Sequence, residues 1–432
     1  MDAVRRFGRQ TFSSLRIRNY RLYFIGQGIS LSGTWMQTIG QGLLVLRLTG
    51  SGTQLGVVTA LQTLPILLLG PIGGVIADRF PKRQVLYATQ AAAGILALVL
   101  GALVATGEIR LWMLYILAIG LGLVNTVDNP TRQTFVLEMV GKDALTNAVS
   151  LNSTEINLAR VLGPSLAGVL VSLVGLSACF LVNGVSYFAV IAVLARMRPE
   201  ELQPAPRVPR AKGQFWEGFR YVRSSPVLLN ILLMMAIIGT FTYEFTVSLP
   251  LFAEFTFGKG AGGYAALTAS MGAGAVVGGI VTASRRRNAP SMLVLSALFF
   301  GVTVFLAAVS PTLQVAMVAF VLVGFFSITF TSLGNVTLQL ASAPEMRGRV
   351  MALWTMAFLG STPIGGPIIG WIGENAGPRW ALVVGGVAAI LAVGGMAVLC
   401  GAAASTGEQS AGGGSGPRRP GTLETHCRDC RS

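Results

Sequence analysis

The chain has 432 residues, of which 53% are hydrophobic and only 11% are charged, and its formal net charge is +15. Soluble domains average about 25% charged residues, so these few charges exclude a water-soluble protein of this length. The apolar residues come in blocks of about 20, the length that crosses a bilayer as a helix, and runs such as LLMMAIIG lack the alternation of a membrane β-barrel strand. The composition predicts an all-α, polytopic integral membrane protein.

Hydropathy divides the chain into twelve predicted membrane-spanning helices. The two longest hydrophilic breaks are residues 198–225 and the residues from 402 onward, and they divide the spans six and six. We expect an N-terminal segment at 1–19, a first six-helix bundle at 20–197, a central loop at 198–225, a second bundle at 226–401 and a disordered tail at 402–432. The spans cover residues 20–47, 55–77, 84–106, 111–137, 146–174, 176–197, 226–257, 262–284, 289–310, 313–342, 346–374 and 378–401.

The basic residues predict the orientation of these spans. With the N-terminus placed in the cytoplasm, 26 of the 32 Lys and Arg residues fall in cytoplasmic segments and only four in the opposite loops. This asymmetry is the positive-inside signal, so we expect both termini on the cytoplasmic side of the cell membrane. The bases would face anionic lipid headgroups, and the net charge therefore requires no nucleic-acid partner.

The two halves repeat three short motifs at a nearly constant offset of 203 to 206 residues. Such repeats imply two homologous, pseudo-symmetric bundles, a binding site at their interface and rocking of one bundle against the other. The repeated pairs are Gly73-Gly74 with Gly278-Gly279, NPTRQ at 129–133 with NVTLQ at 335–339, and Gly163-Pro164 with Gly366-Pro367.

The stretch GGVIADRFPKR at residues 73–83 resembles the loop signature of the major facilitator superfamily, Gly-x-x-x-Asp-Arg-x-Gly-Arg-Arg, with Pro81 in place of the second glycine. The resemblance covers essentially the whole chain and implies the twelve-helix major facilitator fold. It also implies that Asp78 contacts the start of the eleventh helix and gates the cytoplasmic side, whereas the bases could serve topology alone. The second-half copy has Ala283 where the acid would stand. The gating residues would be Gly74, Asp78, Arg79, Lys82 and Arg83.

Further motifs resemble the branch of bacterial drug and siderophore exporters that includes enterobactin-exporter-like and macrolide-efflux-like proteins. They are RNYRLYFIGQGISLSGTWMQ at 18–37, NPTRQ at 129–133 and APEMRGRVMALW at 343–354. The segment ARVLGPSLAG at 159–168 is similar to the antiporter motif of the family, with helix-packing candidates Gly163, Pro164, Gly366 and Pro367. The family's fourth-helix arginine motif is absent, because Ile116 and Ala118 stand four residues before Gly120 and Gly122.

Polar side chains recur every three or four residues in the first, fourth, seventh and tenth spans, which places them on one face of each helix. The resemblance implies that these four helices line the central cavity, so their polar residues are candidates for contact with a small-molecule substrate. The alternative is that the amides join helices through interhelical hydrogen bonds. The cavity candidates are Gln27, Gln37, Gln41, Asn125, Asn129, Arg132, Tyr243, Thr331, Asn335 and Gln339.

Ionisable residues inside the spans are costly and are therefore functional candidates. Asp128 and Arg132 are four residues apart and can pair on one helical face. Glu155 and Arg160 are five apart, about 140° around the helix, so Glu155 needs another partner or a proton. Glu244 has no base near it in its span. We expect proton coupling to fall to Glu244, Asp128 or Glu155, in that order, because the spans contain no lysine or histidine.

The sequence predicts a secondary-active transporter that exports small amphiphilic molecules, drug-like or siderophore-like, by proton-coupled alternating access. We expect a monomer in contact with membrane lipid. A lipid or lysolipid flippase, an importer of the same fold and a non-transporting scaffold are the alternatives. An enzyme is disfavoured because the spans lack a nucleophile–base pair or metal constellation. We expect neither a cofactor nor a metal site, and HCRDC at 426–430 is interpreted as part of a flexible tail.

Overall fold

The computed structural model describes residues 13–203, 214–284, 290–343 and 345–411, and these residues form helices and short connections without any β-strand. Eleven helical spans within the described ranges are long and apolar enough to cross a membrane. A further helix, α1 (Arg18–Thr49), has 32 residues and carries the polar stripe described above. At 1.5 Å per residue it is about 48 Å long, so the predicted count of twelve is compatible with these helices.

The first half contains six long helices, and α4 passes into α5 without a loop. Gly141 separates them with a φ of 69° and a ψ of −177°, a backbone conformation that is essentially restricted to glycine. The helices are α1 (Arg18–Thr49), α2 (Gly52–Arg79), α3 (Lys82–Thr106), α4 (Leu111–Gly141), α5 (Asp143–Leu173) and α6 (Leu176–Arg196).

The second half repeats this arrangement but breaks two of its spans, which the sequence predicts as continuous. The helices are α7 (Gln214–Arg223), α8 (Pro226–Phe241), α9 (Phe245–Leu251), α10 (Gly260–Ser284), α11 (Pro290–Ala308), α12 (Leu313–Ala341), α13 (Arg347–Leu359), α14 (Thr362–Asn375) and α15 (Pro378–Ala411).

The first break lies between α8 and α9 at Glu244, whose φ of −78° and ψ of 40° are not helical. The second lies between α13 and α14, where Pro363 occupies the first turn of α14 and cannot donate a backbone hydrogen bond to α13. Each break exposes backbone groups in the middle of a span. Such interruptions in membrane helices occur where the backbone is buried in protein or lines a cavity.

The ends of the second half differ from the prediction in one respect. The last helix, α15, continues to Ala411, ten residues past the predicted end of its bundle. Residues 402–411, which the prediction assigned to the tail, are therefore helical, and HCRDC at 426–430 lies outside the described residues.

The short helix α7 lies at the start of the second half and is attached to α13. Glu217 forms an ion pair of 2.7 Å with Arg349, and the Tyr221 hydroxyl accepts a hydrogen bond of 3.0 Å from the backbone N–H of Ala343. Trp216 and Phe219 remain exposed on α7. The helix has the apolar and charged sides expected of an element at a membrane surface.

Candidate functional site

The two halves meet tightly on the side of the molecule opposite to the start of α1. Gly56 of α2 faces Gly366 of α14 so closely that a Cβ on Gly56 would lie 2.2 Å from the Gly366 carbonyl oxygen. One helical turn further out, Gly52 faces Gly370 in the same way, with 2.6 Å between the corresponding atoms. Only glycine allows backbones to approach this closely. We call these four residues the glycine seam.

A carboxylate reinforces the outer end of the glycine seam. Glu374, at the end of α14, uses Oε2 to accept hydrogen bonds from the Ser51 hydroxyl at 2.6 Å, the Thr53 hydroxyl at 2.6 Å and the Thr53 backbone N–H at 2.9 Å. These three bonds join the first half to the second. Since the group is solvent-exposed, each bond is expected to contribute only modestly to the stability of the closed side.

On the other flank, α5 and α10 are in contact near their middles and separate toward the side on which α1 begins. A Cβ on Gly272 of α10 would lie 2.9 Å from Val161 of α5. Gly279 lies two turns further along the same face of α10 and has no atom within 4 Å of a Cβ position. Thr154, two turns before Val161 on α5, is exposed. The halves are therefore closed on one side and form an open cleft on the side of the N-terminus.

The residues of the loop signature at the end of α2 take two different environments. Lys82 forms an ion pair of 2.6 Å with Glu138 of α4, and Arg83 donates a hydrogen bond of 2.9 Å to the carbonyl of Leu194 in α6. These two bases therefore join helices within the first half. Asp78 and Arg79 are exposed at the end of α2 on the open side.

Glycines within this loop signature hold α2 against α4. A Cβ on Gly73 would lie 2.0 Å from the carbonyl oxygen of Thr126, and Gly74 is also buried. The close approach fixes the inner part of α2 to the first bundle.

The glutamines of α1 do not line the cleft, which corrects the expectation for these three residues. Gln27, Gln37 and Gln41 are only 2%, 6% and 9% exposed. Gln37 accepts a hydrogen bond of 2.7 Å from Asn183, and Gln41 donates one of 3.1 Å to Gln62. These amides connect α1 to other helices of its own bundle, as the interhelical alternative predicts.

The remaining amide candidates lie on more accessible faces. Asn129 is exposed on α4, and Asn125 is partly exposed. On α12, Thr331 and Asn335 are partly exposed, and Gln339 is exposed and donates a hydrogen bond to Asn335. These positions are compatible with the cavity interpretation, which stays a prediction for them.

Asp128 and Arg132 form the ion pair that their spacing predicts, and it is embedded in a larger network. Asp128 Oδ2 accepts from Arg132 Nε at 2.5 Å, while Oδ1 accepts from Thr89 at 2.6 Å and Gln90 at 2.8 Å. Arg132 Nη1 donates to Gln27 at 2.8 Å. Both carboxylate oxygens thus have donors, so the network joins α1, α3 and α4.

Glu155 on α5 and Glu244 at the α8–α9 break are buried carboxylates without hydrogen-bond donors on both oxygens. Within the described residues, Oε1 of each is buried and has no hydrogen-bond partner. Glu155 Oε1 lies 3.0 Å from the Cβ position of Gly28 in α1. Glu244 is 2% exposed and lies against the glycines of α14, with Oε1 at 3.1 Å from the Cβ position of Gly365.

The two repeated Gly-Pro pairs occupy helix contacts. A Cβ on Gly163 would lie 2.5 Å from Trp35 Cβ, so α5 packs directly on α1 at this point, and Pro164 follows within α5. Gly366 belongs to the glycine seam, and the Cα of Pro367 lies 2.7 Å from the Cβ position of Gly56. One pair therefore acts within the first half and the other between the halves.

Arg160 is a feature that the sequence interpretation did not select as a site residue. Its guanidinium carbon lies 5.1 Å from the centre of the Trp35 ring, a cation–π contact between α5 and α1. The sequence held a signal for this residue, since Glu155 and Arg160 are five residues apart and cannot pair on one face of the helix. Arg160 is therefore an arginine inside a span whose nearest acid cannot neutralise it.

Two bundles of membrane-spanning helices, closed together on one side and separated on the other by a partly polar cleft, define a transporter of the major facilitator type. The chain belongs to the family of this superfamily described as transmembrane secretion effectors, whose sequence profile matches residues 9–411. The protein is therefore a multi-pass membrane transporter and not an enzyme, and its substrates are small molecules.

Characterised relatives match most of the chain at low identity. The staphyloferrin A transporter of Staphylococcus aureus is 24% identical over 355 residues, which cover 80% of this chain and 87% of the relative. The enterobactin exporter EntS of Shigella flexneri is 24% identical over 364 residues, which cover 83% and 86% of the two chains. The predicted resemblance to the siderophore branch of the superfamily is confirmed.

Solved structures confirm the fold. A bacterial homologue of the lysosomal transporter Spinster, in an inward-facing and occupied conformation, aligns with a TM-score of 0.69 at 15% identity over 88% of this chain and 96% of its own. A bacterial homologue of the iron transporter ferroportin, in an inward-facing state, aligns with a TM-score of 0.67 at 17% identity over 88% and 98%.

Proposed function

We propose that this protein exports a siderophore-like amphiphilic molecule from the cytoplasm, by alternating access and in exchange for protons. The observation that carries the proposal is the closure of the halves along the glycine seam, opposite to a cleft on the side where α1 begins. The 26-to-4 distribution of basic residues supports a cytoplasmic location for that open side. An exporter loads its substrate from this side. The names of the relatives support the substrate class.

Glu244 is the first candidate for the proton carrier in this proposal. It lies in a helix break, where its backbone can change conformation at low cost, and its carboxylate contacts Gly365, the neighbour of seam residue Gly366. Burial of a carboxylate disfavours its charged form. Loss or gain of a proton at Glu244 would therefore change the packing of α14 next to the glycine seam, which links the proton to closure of the outer side.

Glu155 is the second candidate, and Asp128 moves to third place. Glu155 lies on α5, the helix that contacts α10 of the second half, and its Oε1 has no donor in the described part of the chain. Asp128 has donors on both oxygens and neutralises Arg132. A carrier must exchange its proton in each cycle, and a saturated ion pair suits a structural role better.

Everted membrane vesicles that contain the protein provide the test. Respiration acidifies their interior, and the cytoplasmic face of the protein is outside. Addition of iron-free enterobactin or staphyloferrin A should release part of the quenching of acridine orange, because protons leave as the siderophore enters. Vesicles with Glu244→Gln should lose this response. Siderophore uptake that is independent of the pH gradient would refute the proton exchange, and translocation of fluorescent lipid instead of either siderophore would support a flippase.

A further inference from the structure

Arg160 is an intramembrane cation whose charge is not balanced by any side chain in the part of the chain that the structure describes. It forms neither an ion pair nor a hydrogen bond with any residue that the structure describes, and its Nε is buried without an acceptor. The other intramembrane arginine, Arg132, has Asp128 as its counter-charge. An unbalanced charge inside a membrane protein is unfavourable and is a functional hypothesis by default. The cation–π contact with Trp35 offsets only part of this cost.

The side chain lies at the closed end of the cleft. Arg160 is partly exposed, although it is in the middle of α5 and between the helix faces that contact α1 and α10. Ser153, two turns before it on the same face, is exposed, as is Val149 one turn earlier. Ala167, two turns after it, is completely buried. The exposed face of α5 thus leads from the open side to Arg160 and ends there.

An aromatic side chain of the first half lies beside this position. The guanidinium of Arg160 is in cation–π contact with the Trp35 ring of α1, at 5.1 Å from the ring centre. Trp35 is itself partly exposed. A cation and an aromatic surface are therefore presented together at the closed end of the cleft.

We propose that Arg160 binds the carboxylate of an organic acid whose apolar or aromatic body packs against Trp35. A guanidinium can donate two parallel hydrogen bonds to a carboxylate, and the aromatic surface provides apolar contact. The site selects anionic amphiphiles and repels permanent cations of the same size. This inference rests on the proposed function, since it names the acidic character of the exported molecule and its contact point.

A matched pair of fluorescent probes tests the proposal with purified full-length protein in lipid nanodiscs. Dansylglycine carries a carboxylate on an aromatic body, and dansylglycinamide is its neutral counterpart. We expect the protein to bind dansylglycine, and Arg160→Gln to weaken this binding by about 10- to 100-fold, as expected for loss of a charge-assisted hydrogen-bonded pair. Binding of dansylglycinamide should be weak and unchanged by the substitution.

Two further variants separate recognition from folding. Arg160→Lys retains the charge without the planar guanidinium and should bind dansylglycine with intermediate affinity. Arg110→Gln removes an exposed arginine before α4 and should bind like the unchanged protein. Should Arg160→Gln fail to fold, the Lys variant decides, and affinity equal to that of the unchanged protein would count against the proposal.

The proposal is overturned if the unchanged protein fails to bind dansylglycine, binds both probes equally, or loses nothing in Arg160→Gln. Failure here is distinguishable from failure of the proposed function. If the protein exports siderophore in exchange for protons but binds the probe independently of Arg160, only the proposed carboxylate site at Arg160 is refuted. Arg160-dependent binding without any siderophore transport would keep the site and remove the export proposal.

Discussion

The glycine seam allows a direct test of how the closed side is maintained. Replacement of Gly56 by alanine would place a Cβ at 2.2 Å from the Gly366 carbonyl oxygen, 2.5 Å from its carbon and 2.7 Å from Pro367 Cα. Backbone atoms cannot rotate away as a side chain can, so α2 and α14 must separate by about 1 Å to reach a tolerable contact. The strain exists only while the seam is closed.

The expected size of the effect follows from this geometry. Overpacking of a close contact costs about 1–3 kcal/mol, and 1.4 kcal/mol changes an equilibrium about tenfold. Gly56→Ala should therefore shift the protein by about 5- to 150-fold toward the conformation in which the outer side is open. Gly70→Ala on the same helix is the matched control, because no atom lies within 4 Å of its Cβ position.

Spin labels on the outer side measure this shift. Arg110 and Lys259 are exposed and immediately precede α4 and α10, which belong to different halves. Spin labels attached to cysteines introduced at these two positions therefore report the distance between the halves on the outer side. In a background without the native cysteines, Gly56→Ala should increase the fraction of long distances relative to Gly70→Ala. Identical distance distributions in the two variants would show that the seam does not hold the outer side closed.

Three other substitutions give separate expectations. Glu374→Gln removes the charge from the acceptor of three hydrogen bonds between the halves. The same labels should show a smaller shift toward the open outer side than Gly56→Ala gives, equivalent to about 0.5–1.5 kcal/mol in the closed–open equilibrium. An unchanged distance distribution would mean that the glycine seam alone holds this side closed. Glu244→Gln should abolish siderophore-dependent proton release while the variant still exchanges labelled for unlabelled siderophore, and a normal proton signal would exclude Glu244 as the carrier. Asp128→Asn leaves Arg132 without its counter-charge and should destabilise the fold by about 3–5 kcal/mol, seen as a lower Tm than that of the exposed control Asp143→Asn.

The fold could be predicted from the sequence because hydropathy and charge act along the whole chain. Blocks of apolar residues fix the spans, and the repeats at 203 to 206 residues fix the two halves. The breaks at Glu244 and before Pro363 were not predicted, since hydropathy is continuous across both. Pro363 carried a usable signal, whereas the break at Glu244 depends on packing against α14.

The site could be predicted only in part, because a polar stripe on a helix does not reveal its partner. The helical spacing of Gln37 is the same whether its side chain faces water or bonds Asn183, which is 146 residues away in sequence. The pairing of Asp128 with Arg132 was predictable since both partners lie on one helix. The isolation of Arg160 was not, because it depends on which side chains of α1 and of the second half come near it.

The glycine seam also has a consequence for the proton permeability of the closed side. Where Cα of one helix lies directly against the carbonyl of another, no gap remains for a file of water molecules that could conduct protons. Contacts between backbones are also indifferent to salt and acidity, unlike an ionic lock. Such a closure would resist leakage of the proton gradient that the proposed exchange would use, however the surroundings of the cell vary.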